Sequence, residues 1–184
     1  MLNKRLIYVT LFSLFWAFYI VFGKFVLKTD VNPLVYSLQA YLISTVVLLF
    51  FNLATFKDIK RLSLNQWKYL LSIGVLLGIS VSLGNVGLKL STSINYGFLV
   101  KSSVVFTTLL AVIFLKESWS KAKASLLLLF LIGAYLMTTQ GKVLIPRLGD
   151  LLIITSAFFI SSSAILQKPL LSQGIKPSLI AVFR

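Results

Sequence analysis

Lys101 is the residue of this chain best placed to do chemistry, because it stands near the middle of an otherwise apolar, uncharged run, Ile94 to Leu115. No acidic residue accompanies it there. A lone ammonium in hydrocarbon is costly, so such a cation usually faces a protein interior or a water-filled path and marks a solute route. The structural alternative is a hydrogen-bonded packing lysine. Its neighbours at helical spacing are Gly97, Phe98, Val104 and Val105, with Thr108 the only polar addition. Any strong partner must come from another helix, and Trp16, Tyr19, Gln39, Tyr41 and Asn85 are the candidates.

Other polar and aromatic positions extend this set. Trp16 and Tyr19 lie well inside the first apolar run, where they either stack on a solute or pack; Asn85 and Asn95 flank a connection. Ser162, within Ser161 to Ser163, is placed to hydrogen-bond across helices or to line a pathway. The four acidic residues, Asp30, Asp58, Glu117 and Asp150, all fall at connections between apolar runs. Proton exchange through a carboxylate deep in the membrane is therefore unsupported in this stretch. A buried lysine instead complements a carboxylate or phosphate on the cargo, so an anionic or zwitterionic solute is expected. Cysteine and histidine are absent, which leaves no thiolate or imidazole metal site, no disulfide and no histidine base. No cofactor is expected, and an intramembrane enzyme is disfavoured. No P-loop pattern supports coupling to ATP.

The elements that must hold these residues are membrane helices. The sequence is 58% hydrophobic, well above the roughly 45 to 50% of soluble domains, and its mean hydropathy is +0.96. Charges divide it into uncharged runs of 18 residues (Leu6 to Gly23), 26 (Val31 to Phe56), 20 (Tyr69 to Leu88), 18 (Ala124 to Gly141) and 17 (Leu151 to Gln167). About 20 apolar residues carry a helix across a bilayer. With Ile94 to Leu115 added, six spans are expected, and a seventh begins after Lys176. Backbone amides in hydrocarbon must be bonded internally, which leaves helices or closed barrels, and runs this long without period-2 alternation exclude barrel strands. The fold class is an all-α, polytopic integral membrane bundle. Met1 to Arg5 before the first run fits a retained signal-anchor helix better than a cleaved signal peptide.

The net charge of +14 sits in the connections rather than in any nucleic-acid recognition motif, so no nucleic-acid partner is expected. Cytoplasmic loops hold the lysine and arginine excess. Counting alternate connections gives eleven on one side (Lys4, Arg5, Lys57, Lys60, Arg61, Lys68, Lys116, Lys121, Lys123, Lys168, Lys176) against five on the other (Lys24, Lys28, Lys89, Lys142, Arg147). The N-terminus is predicted to be cytoplasmic in the cell membrane, with the bilayer and its anionic head groups as the partner of the basic surface. Glu117, among Lys116, Lys121 and Lys123, is expected to make a surface salt link. Gly74 and Gly78 have the small-xxx-small spacing that lets helices approach closely, within the chain or in a dimer.

A faint internal repeat organises the whole. Leu14-Phe15-Trp16-Ala17-Phe18 through Lys24 to Pro33 resembles Phe158-Phe159-Ile160-Ser161-Ser162 through Lys168 to Pro177, at one offset (168 − 24 and 177 − 33, both 144). Five crossings separate equivalent points, and an odd number makes the second copy enter inverted, as in many secondary transporters.

Several segments look familiar together. The stretch Phe106-Thr-Thr-Leu-Leu-Ala-Val-Ile-Phe-Leu-Lys-Glu117, with the Gly133-bearing span after it, resembles the end of the fourth helix and the fifth helix of the EamA-type family in the drug/metabolite transporter (DMT) superfamily. Trp16 with Lys24 and Asn32-Pro33 resembles its first-helix end and following loop, and Gly149-Asp150-Leu151 the start of its second repeat. The resemblance implies a permease of two inverted five-helix repeats: residues 1–142 as the first, residues 149–184 as the opening of a second that stops short. It also implies export of small metabolites or amino-acid-like solutes. One departure stands out: where the family often has proline in its fourth helix, this chain has Val104, which puts the expected bend in doubt. The competing reading from another class is a non-transporting membrane subunit or an inert truncated fragment.

Overall fold

The structure, a computed structural model, describes residues 4–51, 59, 62–139 and 147–184, and the side chains of all these except 4, 5 and 137–139. Its helices are α1 (Lys4–Leu27), α2 (Pro33–Phe51), α3 (Leu64–Leu90), α4 (Ser93–Leu99), α5 (Ser103–Leu115), α6 (Lys121–Thr139), α7 (Leu148–Ser172) and α8 (Pro177–Phe183). No strand occurs among the described residues. Among the described residues, five spans are long and apolar enough to cross a bilayer: those of α1, α2, α3 and α7, and the joined α4 and α5. The expected span Ala124 to Gly141 falls on α6 and ends outside the described residues, as do Lys57, Asp58, Lys60, Arg61 and Lys142.

Local chemistry sets the helix ends. Ser63 and Gln66 form a capping box at the start of α3, each side chain bonding the other's backbone N–H. Pro33 and Pro177 open α2 and α8, where a missing N–H costs nothing and the fixed φ suits a helix. Two expected boundaries move outward. Lys24 does not end the first helix, which runs on to Leu27, and α7 passes through Pro169 to Ser172. There a Schellman motif closes it: Gly174 takes φ +79°, its N–H bonds Leu171, and Ile175 N–H bonds Leu170.

The joined span is interrupted. A 3₁₀ turn, Val100–Ser102, separates α4 from α5 with Lys101 at its centre, so the winding changes close to where proline was missed. Helix irregularity at membrane depth persists only when freed backbone groups find partners. Ser102 Oγ donates to the Leu99 carbonyl at 2.6 Å, and Ser161 Oγ of α7 donates to the Ser103 carbonyl at 2.8 Å.

Helices α3 and α7 make the most extensive contact in the fold, along a seam of small residues. A Cβ on Gly87 would stand 2.7 Å from Ile153 Cγ1 and 2.8 Å from the Gly149 carbonyl, and one on Gly149 would stand 2.9 Å from Leu90. Of the pair Gly74 and Gly78, the first is a close-packing position, with the Phe183 carbonyl 2.7 Å from its added Cβ; the second faces open space. Helix α8 returns along α3, burying Leu179 and Ile180.

Contacts also fix directions. The end of α1 (Lys24) and the start of α7 (Asp150) both meet Ser91, beyond the end of α3, so α1 and α7 run in opposite directions. The openings of α2 and α8 lie 144 residues apart (177 − 33).

Candidate functional site

Helix α1 presents an aromatic ladder because its rings recur at helical spacing. Phe12 stacks on Trp16 at 6.1 Å between centroids, Trp16 lies 5.7 Å from Tyr19, and Tyr19 stacks on Tyr36 of α2 at 6.5 Å. A polar chain behind the ladder fixes it. The Tyr19 hydroxyl donates to Asn85 Oδ1 at 3.1 Å, Asn85 Nδ2 donates to Ser37 Oγ at 2.8 Å, and Ser37 donates to the Pro33 carbonyl at 2.8 Å. Asn85 is fully buried within α3, so it is no loop residue, contrary to its expected place beside a connection. Away from water, such an amide is tolerated only when its hydrogen bonds are made.

In front of the ladder lies a cavity of about 300 Å³, at the lower end of the range for ligand sites, about 300 to 1,000 Å³. Trp16 and Tyr19 of α1, Tyr41 and Ser44 of α2, Tyr96 of α4 and Ser156 of α7 line it, with Phe12 and Phe15 at its exposed side. Gly84 makes room for the rear wall, since a Cβ there would stand 3.0 Å from Ser156 Oγ and 3.2 Å from Tyr96 Oη. Ser80 anchors that wall from α3, donating to the Ser156 carbonyl at 2.8 Å. Trp16 Nε1 is buried and has no hydrogen-bond partner, alone in this among the described side chains. Indole N–H can only donate, so a residue of the cavity wall carries a donor that no protein acceptor uses.

The structure thus joins three expected residues, Trp16, Tyr19 and Tyr41, at one cavity and sets Asn85 behind them. It does not bring the others there. Gln39 is exposed on α2. Ser162 bonds the Phe158 carbonyl and lines a separate apolar cavity between α3, α5 and α7. Lys101 was expected to face a cavity, yet it is exposed. The 3₁₀ turn buries Val100 against Tyr96 and Ile153, and its neighbour Lys101 is thereby turned to the outside with Ile94 and Val104, where Gly97 too faces open space. Sequence reasoning missed Tyr96, Ser80, Gly84 and Ser156. Glycine and serine recurring on the facing sides of α3 and α7 were the available signal.

Each end of the bundle is tied by charge. At one, the Lys24 ammonium donates to the carbonyls of Leu88 at 2.7 Å, Lys89 at 2.9 Å and Ser91, and Lys89 donates to Val31. These carbonyls lack helix partners. Asp150 was placed at a connection; it stands in the first turn of α7, buried, accepting from Ser91 Oγ and Asn95 Nδ2. At the other end Glu117 pairs with Lys168 at 2.6 Å and with Lys123 at 3.5 Å. The salt link was expected from its neighbours in sequence; Lys168 of α7 is the closer partner. Its hydrogen bond and charge hold the Glu117 carboxyl below its ordinary value.

This all-helical membrane bundle, with a solvent-sized cavity among its first, second, third, fourth and seventh helices, has the architecture of a polytopic membrane carrier. Residues 3–139 match the EamA-like transporter family, and the chain belongs to that family, within the DMT superfamily. No curated protein and no solved structure matches the chain.

Proposed function

We propose that the chain is a secondary transporter of small metabolites or amino-acid-like solutes in the cell membrane, with its N-terminus cytoplasmic and the aromatic cavity as its solute site. The buried, unpartnered N–H of Trp16, a residue of that cavity's wall, carries the reading. A donor left without water or protein acceptor costs stability, and a solute acceptor relieves that cost. Residues 1–142 and 149–184 are read as one five-helix repeat and the opening of an inverted second. The 144-residue offset between the openings of α2 and α8 and the opposed directions of α1 and α7 support that division.

Counterflow of radiolabelled amino acids into proteoliposomes tests the proposal. Flux lost in Trp16→Ala and retained in Lys101→Met assigns the route to the cavity. Flux lost in Lys101→Met alone moves the route to the outer face of α5, and no flux from any form removes transport.

A further inference from the structure

A separate cleft of about 300 Å³ opens between α5 and α7 at the Glu117 end of the bundle. Thr107, Thr108 and Ala111 of α5 make its floor with Ala164 and Ile165 of α7, and Glu117, Lys123 and Lys168 make its mouth. Thr108 adds no free donor to the floor, since its hydroxyl already donates to the Val104 carbonyl at 2.8 Å. From Thr107 to Leu115 the floor runs eight residues (115 − 107), roughly 12 Å at 1.5 Å per residue, against about 15 Å for one leaflet's half of the hydrocarbon core. The mouth stands just past Leu115, where that apolar span ends. Trp119 beside it is 48% exposed and marks the same level, because tryptophan favours the interface between membrane and water.

Charge at the mouth does not balance. Two ammoniums share one carboxylate, Lys168 at 2.6 Å and Lys123 at 3.5 Å, which leaves one positive charge over. Lys116 and Lys121, their neighbours in sequence, are exposed and add to it. Donors are left over as well. An ammonium has three N–H groups and no acceptor; Lys168 directs one to Glu117, and Lys123 directs one to Glu117 and one to the Ser118 carbonyl. Both side chains are solvent-exposed, 57% for Lys168 and 39% for Lys123, so the remaining N–H groups are free to turn toward an anion at the mouth.

We propose that this cleft binds an anionic phospholipid, its singly charged phosphodiester between Lys123 and Lys168 and one acyl chain on the floor along α5 and α7. Basic pockets between membrane helices hold lipid head groups in this way. A diester's single negative charge offsets the surplus, whereas a zwitterionic head group brings its own ammonium. Free phosphate would meet the lysines and leave the apolar floor uncovered. The lipid would also tie the start of α6 to α7, since α6 packs chiefly on α4. None of this depends on the solute cavity.

Native mass spectrometry of the full chain tests the site, with micelles supplemented by dioleoylphosphatidylglycerol, dioleoylphosphatidylcholine or glycerol 3-phosphate. One phosphatidylglycerol is expected to stay bound, about tenfold tighter than phosphatidylcholine, and glycerol 3-phosphate is expected not to bind. Lys123→Gln with Lys168→Gln should bring phosphatidylglycerol down to the level of phosphatidylcholine. Lys116→Gln with Lys121→Gln removes as much charge outside the cleft and should leave most of the preference. Ala164→Phe, at an exposed position of the floor, should weaken lipid binding with every lysine intact. Thermal unfolding without added lipid checks that each variant is folded. Equal binding of the two lipids, or equal losses from the two lysine pairs, overturns the site and reduces it to a diffuse basic surface. Glycerol 3-phosphate binding as tightly as the lipid overturns it in favour of a free-anion site.

Discussion

The α3–α7 seam and the α1–α2 wall are built from the same apolar alphabet and behave as opposites. In their most apolar windows 39% of α3 and 44% of α7 is buried, against 11% of α1 and 6% of α2. The seam uses Gly87, Gly149, Ser80 and Ser156 to bring backbones together, because hydrocarbon gives helices no hydrophobic reason to associate and close packing must supply it. The wall uses large rings, which hold the backbones apart and leave the cavity between them. One side is therefore a close-packed rail, and the other, on the proposed function, is where a solute would be admitted with little repacking.

The strongest way to break that contrast is to wedge the rail. Gly87→Leu places a side chain where a Cβ already stands 2.7 Å from Ile153 and 2.8 Å from backbone, and should cost about 2 to 3 kcal/mol as overpacking. Gly78→Ala meets open space and should change stability by less than about 1 kcal/mol. Thermal unfolding in detergent compares them; equal shifts would mean that the seam is not tightly packed.

Next in size is the strut joining the wall to the rail. Asn85→Leu removes both the acceptor of Tyr19 and the donor to Ser37, stranding two polar groups at a cost of about 1 to 3 kcal/mol. The same change should weaken ligand binding, because Tyr19 loses its orientation. A double change with Tyr19→Phe should recover part of the stability but not the binding, and unfolding and titration read the two separately.

What the sequence disclosed follows the same division. Span positions, helix class and the opening prolines were legible because hydrophobic runs and N-terminal proline act locally. Trp16, Tyr19 and Tyr41 were legible as aromatics inside spans. The outward orientation of Lys101 was not legible, because a count along a regular helix cannot foresee the 3₁₀ turn that rotates it. Ser156 and Gly84 went unread for a different reason. Their meaning lies in a contact between segments some seventy residues apart, which no local period encodes.

A smaller effect distinguishes the wall from a packed core. Trp16→Phe deletes a donor that is already without a partner, so its stability cost should be under about 1 kcal/mol, well below the roughly 3 to 5 kcal/mol typical of truncating a core tryptophan to alanine. Ligand affinity should fall nonetheless. A large loss of stability would make Trp16 a packing residue and remove the main support for the cavity.

The smallest expected effect belongs to the ion pair tying the end of α7 to the segment after α5. The Lys168 hydrogen bond and charge lower the Glu117 pKa from its ordinary 4.5, so the folded state holds this proton less tightly than the unfolded state does. The pair's contribution is present above pH 4.5 and is lost as pH falls through the lowered folded value. Wild type and Glu117→Gln should therefore differ slightly in melting temperature at neutral pH and converge in acid. The gap should also shrink in high salt, since both partners are solvent-exposed. A gap that persists in acid would assign Glu117 a packing role, and the rail would then owe part of its rigidity to the loop beside it rather than to the glycines and serines along its length.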